Sequence, residues 1–167
     1  RAGLSRVFHR RDIYPGEKGG LGGGPTKRGK GTKLLAIADR GGRPVASHAA
    51  SASPHEVTLV PATLAQTFTA GAPQRLIGDK AYDGDPLDHQ LAKHGIALIA
   101  PHKESRRKPP TQARRVLRRA RRRGKIERLF AWLQSFRRLT TRYEYDLENF
   151  LGFVHLGCLL ILLRCYL

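Results

Sequence analysis

Short apolar runs alternate with turn residues along most of the chain, and this pattern predicts a mixed α/β domain. The runs 33–39 and 43–48 are extended and are separated by a Gly-Gly pair, so together they predict a β-hairpin. Two further apolar runs, 75–79 and 96–101, predict buried strands. The first of these two strands ends on an acidic residue.

Two helices are expected between these strands. Ser53 is a candidate N-cap, with Glu56 three residues later and a proline in the first helical position, and it predicts a helix to about residue 68. A second helix is predicted over 86–94, ending at a glycine. The resulting order, β-β-α-β-α-β, is typical of helices packed on a sheet.

The C-terminal third is predicted to be helical. A basic segment becomes helical near Thr111, and apolar residues at 126, 129, 130, 133 and 136 then follow helical spacing. The tail 150–163 is almost entirely apolar, but it is shorter than the about 20 residues needed to span a bilayer. We therefore expect a buried core helix there.

Composition points to one basic domain in a reducing compartment. Lys and Arg number 31 against 13 Asp and Glu, a net charge of +18. Such a charge favours a polyanionic partner, most simply nucleic acid. The two cysteines, Cys158 and Cys165, match no disulfide scaffold or zinc signature and are predicted to be buried core thiols. The first residues are not a signal peptide, so a cytoplasmic protein is expected.

The segment 103–128 holds 13 Lys and Arg in 26 residues. The apolar residues mixed into it favour a helix with one anchored face, and phosphate binding is its main expected role. A solvated or disordered tail is the alternative. The predicted DNA-binding residues are Lys103, Arg106, Arg107, Lys108, Arg114, Arg115, Arg118, Arg119, Arg121, Arg122 and Lys125.

Two carboxylates are candidates for chemistry. Asp79 ends a buried strand of parallel type, where α/β folds place their active sites, although it could also be a turn residue capping the next helix. Glu127 lies at the border between the apolar stripe and the basic face. Its alternative role is an ordinary surface pair with Arg123, worth only about 0.3–0.5 kcal/mol. Together Asp79 and Glu127 could hold Mg²⁺, with Mn²⁺ as a substitute, for attack at a phosphodiester, a chemistry that normally needs a third carboxylate.

Seven segments of the sequence carry a resemblance to one family. They are TKRGKGTK at 26–33, SASPHE at 51–56, GDKAYD at 78–83, APH at 100–102, ERLFAWL at 127–133, RRLTTRYEY at 137–145 and NFLGFVH at 149–155. The chain resembles the DDE transposases of bacterial insertion sequences, in particular the insertion-sequence-five type within the insertion-sequence-four-like superfamily.

This resemblance implies an α/β fold that is RNase-H-like, with a mixed sheet flanked by helices. It implies that Asp79 is the second catalytic Asp, that Glu127 is the catalytic Glu, and that Arg123 is the Arg of the family's signature helix. It also implies Mg²⁺-dependent cleavage at transposon ends and strand transfer into target DNA. The expected partners are those DNAs and a second copy in a synaptic complex, in the bacterial cytoplasm near the nucleoid and away from any membrane.

The first catalytic Asp of the family has no clear counterpart here. Counting back from Thr26 places it at Arg10, and Asp12 is close but out of register. A frameshift over residues 1–18 would explain the difference, because a shifted frame can encode the expected segment. We therefore expect a disordered or out-of-frame leader at 1–25, a partial catalytic domain at 26–167 and a missing first strand, with cleavage and strand transfer impaired in this copy.

Two other functions remain open from the sequence alone. One is a non-catalytic, basic DNA-binding remnant of a transposase, which would bind DNA without cutting it. The other is a membrane-surface anchor that uses the apolar tail and the basic segment. DNA cleavage lost on substitution of Asp79 would exclude the first, and the absence of liposome binding would exclude the second.

Overall fold

The computed structural model describes residues 7–15, 21–26, 29–69, 71–104, 106, 112, 117 and 124–166, with the backbone alone over 7–15. The predicted helix near residue 111 lies outside these ranges, apart from isolated positions. The described part forms one mixed sheet with helices packed on both of its faces.

The sheet has six strands in the described residues. They are β1 (Val7–Pro15), β2 (Gly24–Thr26), β3 (Gly29–Ala38), β4 (Pro44–Ser51), β5 (Arg75–Ile77) and β6 (Ala97–Ile99). The strand β4 pairs with β3, and from there the order across the sheet is β3, β1, β5 and β6, while the short β2 pairs with one end of β3. The strands β3 and β1 are antiparallel, whereas β1, β5 and β6 are parallel to one another.

The central strand β1 corrects the sequence analysis, which expected the first strand to be missing. The segment 1–25, expected as a disordered or out-of-frame leader, contains β1 and the first two residues of β2. Pairing within a sheet uses backbone groups, so the charged run 10–12 can join a ladder as an apolar run does. Without β1, the strands β3 and β5 would each expose an open edge. The frameshift hypothesis for this part of the sequence stays a prediction.

The predicted hairpin is present as β3 and β4. Gly42, in the turn, has a φ of 86°, a left-handed conformation that glycine adopts without strain. Lys33 of β3 is buried, and its ammonium group donates a hydrogen bond to the Pro54 carbonyl, which ties β3 to the segment after β4. The two strands are therefore held both by their ladder and by this contact.

Buried side chains cover both faces of the sheet. Along β3, Leu34 and Ala36 belong to one cluster and Ile37 belongs to the other, because successive strand residues face opposite sides. The helices α3 and α4 cover the first face, and α1 and α2 cover the second. The helices are α1 (Val60–Ala65), α2 (Asp85–Lys93), α3 (Gly124–Gln134) and α4 (Leu147–Tyr166).

The first predicted helix is shorter than expected and begins differently. A 3₁₀ turn, Glu56–Leu59, precedes α1, and His55 rather than Ser53 caps that turn. Pro61 has no N–H to donate, so the α-helix restarts with this residue in its first turn. By contrast, α2 agrees with the prediction and is followed by Gly95 with a φ of 70°.

The apolar tail also differs from the prediction. The helix α4 has 20 residues, and by length and composition alone its stretch Leu147–Cys165 could cross a membrane. One of its faces nevertheless packs into the core through Phe150 and Val154, both fully buried, as expected for a core helix. Cys158 is buried as predicted, but Cys165 is exposed because it lies beyond the last buried residue of the helix.

Candidate functional site

Asp79 lies two residues after β5, at the carboxyl end of a parallel strand. It caps the following 3₁₀ turn, because its Oδ1 accepts a hydrogen bond of 2.7 Å from the Ala81 N–H. The turn is tight, since a Cβ at Gly78 would lie 2.7 Å from Cδ2 of Tyr82. Asp79 is therefore a capping residue that also lies at the strand end, its carboxylate is partly exposed, and its catalytic role stays a prediction.

Two residue pairs give the register between β1 and β5. Val7 pairs with Leu76 and Phe8 with Ile77, an offset of 76 − 7 = 69. Continued past the last pair, this offset would align Arg10 with Asp79. Counting along the sequence led to the same residue for the family's first Asp, and the place of that acid stays a prediction.

Glu127 lies in the first turn of α3, on its exposed side. The residue before it, Ile126, is buried in the same cluster as Ile77 of β5. The elements that carry Asp79 and Glu127 thus pack into one core. Arg123, predicted to act beside Glu127, lies outside the described residues.

Among the side chains that the structure describes, which do not include those of 7–15, no group of three His, Cys, Asp or Glu comes together to hold a metal ion. Asp79 and Glu127 are nevertheless hard oxygen donors, and Mg²⁺ is often held by one or two carboxylates together with substrate phosphates. The Asp79 Oδ2 accepts no hydrogen bond from the described residues. The chemistry of these two side chains therefore fits an ion whose coordination is completed by DNA.

Asp83 connects this turn to the loop that follows β6. Its Oδ1 lies 3.1 Å from Nδ1 of His102 and accepts a 2.8 Å hydrogen bond from Arg106. Its Oδ2 accepts a 2.8 Å hydrogen bond from the Lys103 N–H. The Arg106 guanidinium also donates to Asp85 at 2.9 Å. One buried carboxylate thus fixes the start of the basic segment against the Asp79 turn.

The charge of Asp83 is stabilised by these partners. Burial by itself would raise the pKa of the carboxyl, but the Lys103 N–H, the His102 ring and the Arg106 guanidinium lower it, and the pKa lies below its ordinary value. This cluster was not predicted from the sequence. A usable signal was present, because Asp83 and His102 follow neighbouring parallel strands, whose carboxyl ends meet at one edge of the sheet.

Replacing Asp83 by Asn is expected to lower the free energy of unfolding by about 1.5 kcal/mol at neutral pH, because Arg106 loses one of its two carboxylate partners and keeps Asp85. The folded-state pKa of Asp83 is lowered, so its contribution is present above the unfolded pKa and is lost as pH falls through the folded pKa. Urea unfolding should therefore show that the difference in the free energy of unfolding between the variant and the parent protein is smaller at acidic pH than at neutral pH. The control Glu148→Gln, at an exposed position, should change stability by less than about 0.5 kcal/mol. The same difference in the free energy of unfolding at both pH values would contradict the lowered pKa of Asp83.

Three of the predicted DNA-binding residues lie in the described part of the chain. Lys103 is exposed, Lys125 is half-buried at the start of α3, and the Arg106 side chain is 11 % exposed in its pairs with two aspartates. Arg106 thus positions the loop in this structure, and its contact with DNA stays a prediction. The remaining candidates lie outside the described residues, namely Arg107, Lys108, Arg114, Arg115, Arg118, Arg119, Arg121 and Arg122.

Comparison with known proteins shows which family the chain belongs to. Residues 8–163 match the transposase DDE domain family, a match that spans most of the chain and includes β1. The chain belongs to the DDE transposase family. Together with the relatives and the solved structure given below, this match confirms the insertion-sequence transposase and the RNase-H-like fold expected from the sequence, while the insertion-sequence-five subtype stays a prediction.

Two relatives support this assignment. A Burkholderia cepacia protein assigned as the transposase for insertion sequence element IS402 is 30 % identical over 175 aligned residues, covering 96 % of this chain and 79 % of the relative. A Brucella ovis protein assigned as the transposase for IS6501 is 37 % identical over 91 residues, covering 53 % of this chain and 67 % of the relative.

A solved structure shows the same fold at low sequence identity. The piggyBac transposase, in its synaptic complex with hairpin DNA, aligns with a TM-score of 0.60 at 8 % identity. The alignment covers 93 % of this DDE domain and 45 % of the piggyBac chain, so the domain spans less than half of that protein. At this identity the likeness establishes the fold alone.

Proposed function

We propose that this DDE domain cuts DNA at the ends of an insertion sequence and transfers the freed strand to target DNA in a metal-dependent reaction. The observation that carries the proposal is the position of Asp79, at the carboxyl end of a parallel strand in the middle of the sheet. Glu127 is contributed by a helix packed into the same core. Family membership supplies the reaction class, and these two residues supply the donors for it.

Asp79 and Glu127 would hold Mg²⁺, or Mn²⁺ in its place, together with phosphate oxygens of the DNA. The bound ion would stabilise the charge that develops on the attacking and leaving oxygens. Asp79 is oriented by its hydrogen bond from the Ala81 N–H, so its second oxygen is available for this role. Arg123, four residues before Glu127, would pair with Glu127 or position a phosphate.

The basic segment 103–125 would hold the DNA backbone. Thirty-one Lys and Arg against 13 Asp and Glu favour phosphate contacts that weaken as salt is raised. The Asp83 cluster fixes the beginning of this segment beside Asp79, which would bring bound DNA to the carboxylates. A protein of this kind would act near the bacterial nucleoid, and two copies would be needed to join both ends of the element.

The experiment uses a supercoiled plasmid that carries the insertion sequence encoding this chain. Purified protein is added with Mg²⁺, with Mn²⁺ or with a chelator, and nicked circles are quantified. We expect nicking at the element's ends with either metal and none with the chelator. A plasmid without the element is the control. DNA binding without nicking under any of these conditions would overturn the proposal.

A second function is favoured by one specific observation, the arginine aligned with Asp79. A guanidinium in place of a carboxylate disfavours a divalent cation, so the chain could bind DNA in a salt-sensitive way without cutting it. On this alternative, nicking is absent because the donor set is incomplete. Nicking of the plasmid by the parent protein separates the two functions, and substitution of Arg10 tests whether this residue limits nicking.

Replacing Arg10 by Asp is expected to raise metal-dependent nicking by about tenfold or more, since it would supply a third carboxylate at the position aligned with Asp79. The matched control is Arg11→Asp, which makes the same charge change at the neighbouring position. The measurement is the initial rate of nicking at saturating Mg²⁺. An equal rate in both variants would exclude residue 10 as the place of the first acid.

A further inference from the structure

Trp132 is the only tryptophan of the chain, and it lies partly exposed on α3. Its neighbours Leu129 and Leu133 are fully buried, whereas the indole is 37 % exposed. A single exposed apolar side chain is common and needs no explanation. Its surroundings therefore decide whether the ring belongs to a binding site.

Two arginines flank the indole. The guanidinium carbon of Arg128, one helical turn earlier, lies 5.9 Å from the centroid of the ring system, within the range of a cation–π contact. A pocket of about 200 Å³ opens beside the ring and is lined by Trp132, Ile161, Arg164 and Cys165. An aromatic surface is thus combined with two groups that bind phosphate well.

This pocket is separate from the carboxylates. Glu127 and Trp132 are five residues apart, which places them about 140° apart around a helix of 3.6 residues per turn. Trp132 lies on the flank of α3 that meets α4, as Ile161 and Arg164 in the pocket show. Changes at Trp132 therefore leave Asp79 and Glu127 in place.

We propose that this pocket binds an unpaired DNA base, with the base stacked on the Trp132 indole and the phosphates on either side held by Arg128 and Arg164. The proposal rests on the DNA-processing function proposed above. It adds that this flank of α3 recognises single-stranded rather than duplex DNA. Stacking of a base on an aromatic side chain is typically worth about 1–3 kcal/mol and tolerates any sequence.

Charge and geometry favour this occupant over others. A second copy of the chain would bring the same two arginines and a net charge of +18 to the pocket, so like charges would oppose it. An intact duplex keeps its bases stacked on one another and cannot offer a base face to the indole without unpairing. A single strand or a frayed end offers both a free base face and phosphates.

Because Trp132 is the only tryptophan, its fluorescence reports on this pocket alone. The full chain is titrated with oligothymidylate, with a blunt duplex of equal length and with inorganic polyphosphate, and excitation is chosen so that tyrosine does not absorb. We expect strong quenching by oligothymidylate and little by the other two. Equal quenching by polyphosphate would show that phosphate charge alone, without a stacked base, produces the signal, and it would overturn the proposal.

Substitutions give a second, independent measure. Trp132→Leu is expected to weaken oligothymidylate binding by about 5- to 100-fold, the equivalent of one stacked base, and to change duplex binding by less than about twofold. Trp132→Phe keeps a ring and should lose less. The matched control is Tyr143→Leu, another exposed aromatic at 46 % exposure. Equal losses in folded Phe and Leu variants would contradict stacking.

The rate at which Cys165 is alkylated gives a measure of binding at the pocket that needs no substitution. It is exposed and lines the pocket, while burial raises the pKa of the Cys158 thiol to about 12 and keeps it unreactive. Oligothymidylate should slow alkylation of Cys165 several-fold, and unchanged alkylation at saturating DNA would overturn the proposal. Duplex binding with neither quenching nor protection defeats this inference alone, whereas the absence of any DNA binding defeats the proposed function as well.

Discussion

Replacing Asp79 by Asn is expected to lower the rate of Mg²⁺-dependent nicking by at least about 100-fold, because the carboxylate charge that would hold the ion is removed. The amide oxygen of Asn can still accept the hydrogen bond that Asp79 accepts from Ala81, so the 3₁₀ turn should remain in place. DNA binding is expected to change by less than about twofold, since phosphate contacts come mainly from the basic segment. The measurement pairs nicking rates with a binding isotherm for the same end sequence.

The control for this prediction is Asp88→Asn, the same chemical change at a partly exposed position on α2. We expect it to nick DNA at the parental rate. If Asp79→Asn nicks as fast as this control, Asp79 is only a capping residue, and the acidic site must be sought elsewhere. If both variants lose nicking together with thermal stability, the effect comes from the fold and does not assign the site.

The parts of the fold that the sequence predicts well are those whose signals are local. The hairpin follows from two apolar runs and a Gly-Gly turn, and α2 follows from a proline at its start and a glycine after its end. The strand β1 could not be predicted in this way, because its middle carries charged residues. Its place depends on pairing with strands far away in sequence, which composition and periodicity do not register.

The residues of the candidate site also divide into those with a local sequence signal and those whose contacts depend on distant parts of the chain. Asp79 could be located because a short apolar strand ends on it, and the strand is indeed parallel to its neighbours. The cluster around Asp83 was missed, since its partners His102 and Arg106 come from the loop after another strand. Trp132 could be assigned to a helix from the sequence, but its exposure beside Arg164 depends on how α3 and α4 pack.

A buried arginine outside the candidate site is expected to contribute strongly to the stability of this transposase domain. Arg142 is 3 % exposed and donates to the Thr32 hydroxyl at 2.7 Å, to the Leu21 carbonyl at 2.5 Å and to the Tyr145 carbonyl at 2.6 Å. Its Nε donates to the Glu144 carbonyl at 3.0 Å. One side chain thus joins β3, the segment before β2 and the loop before α4.

Replacing Arg142 by Ala is expected to lower the free energy of unfolding by about 3 kcal/mol, because one buried and three part-buried acceptors lose their donor at once. Burial lowers the pKa of the guanidinium, although Glu144 and Asp146 act to raise it, so part of the gain from its hydrogen bonds is offset by desolvation. Arg142→Lys should recover only part of the loss, since an ammonium cannot span the same acceptors. The exposed Arg137→Ala is the control, and urea unfolding is the measurement. A loss below about 1 kcal/mol would mean that water replaces the guanidinium, and that the chain segments it connects are held by the core alone.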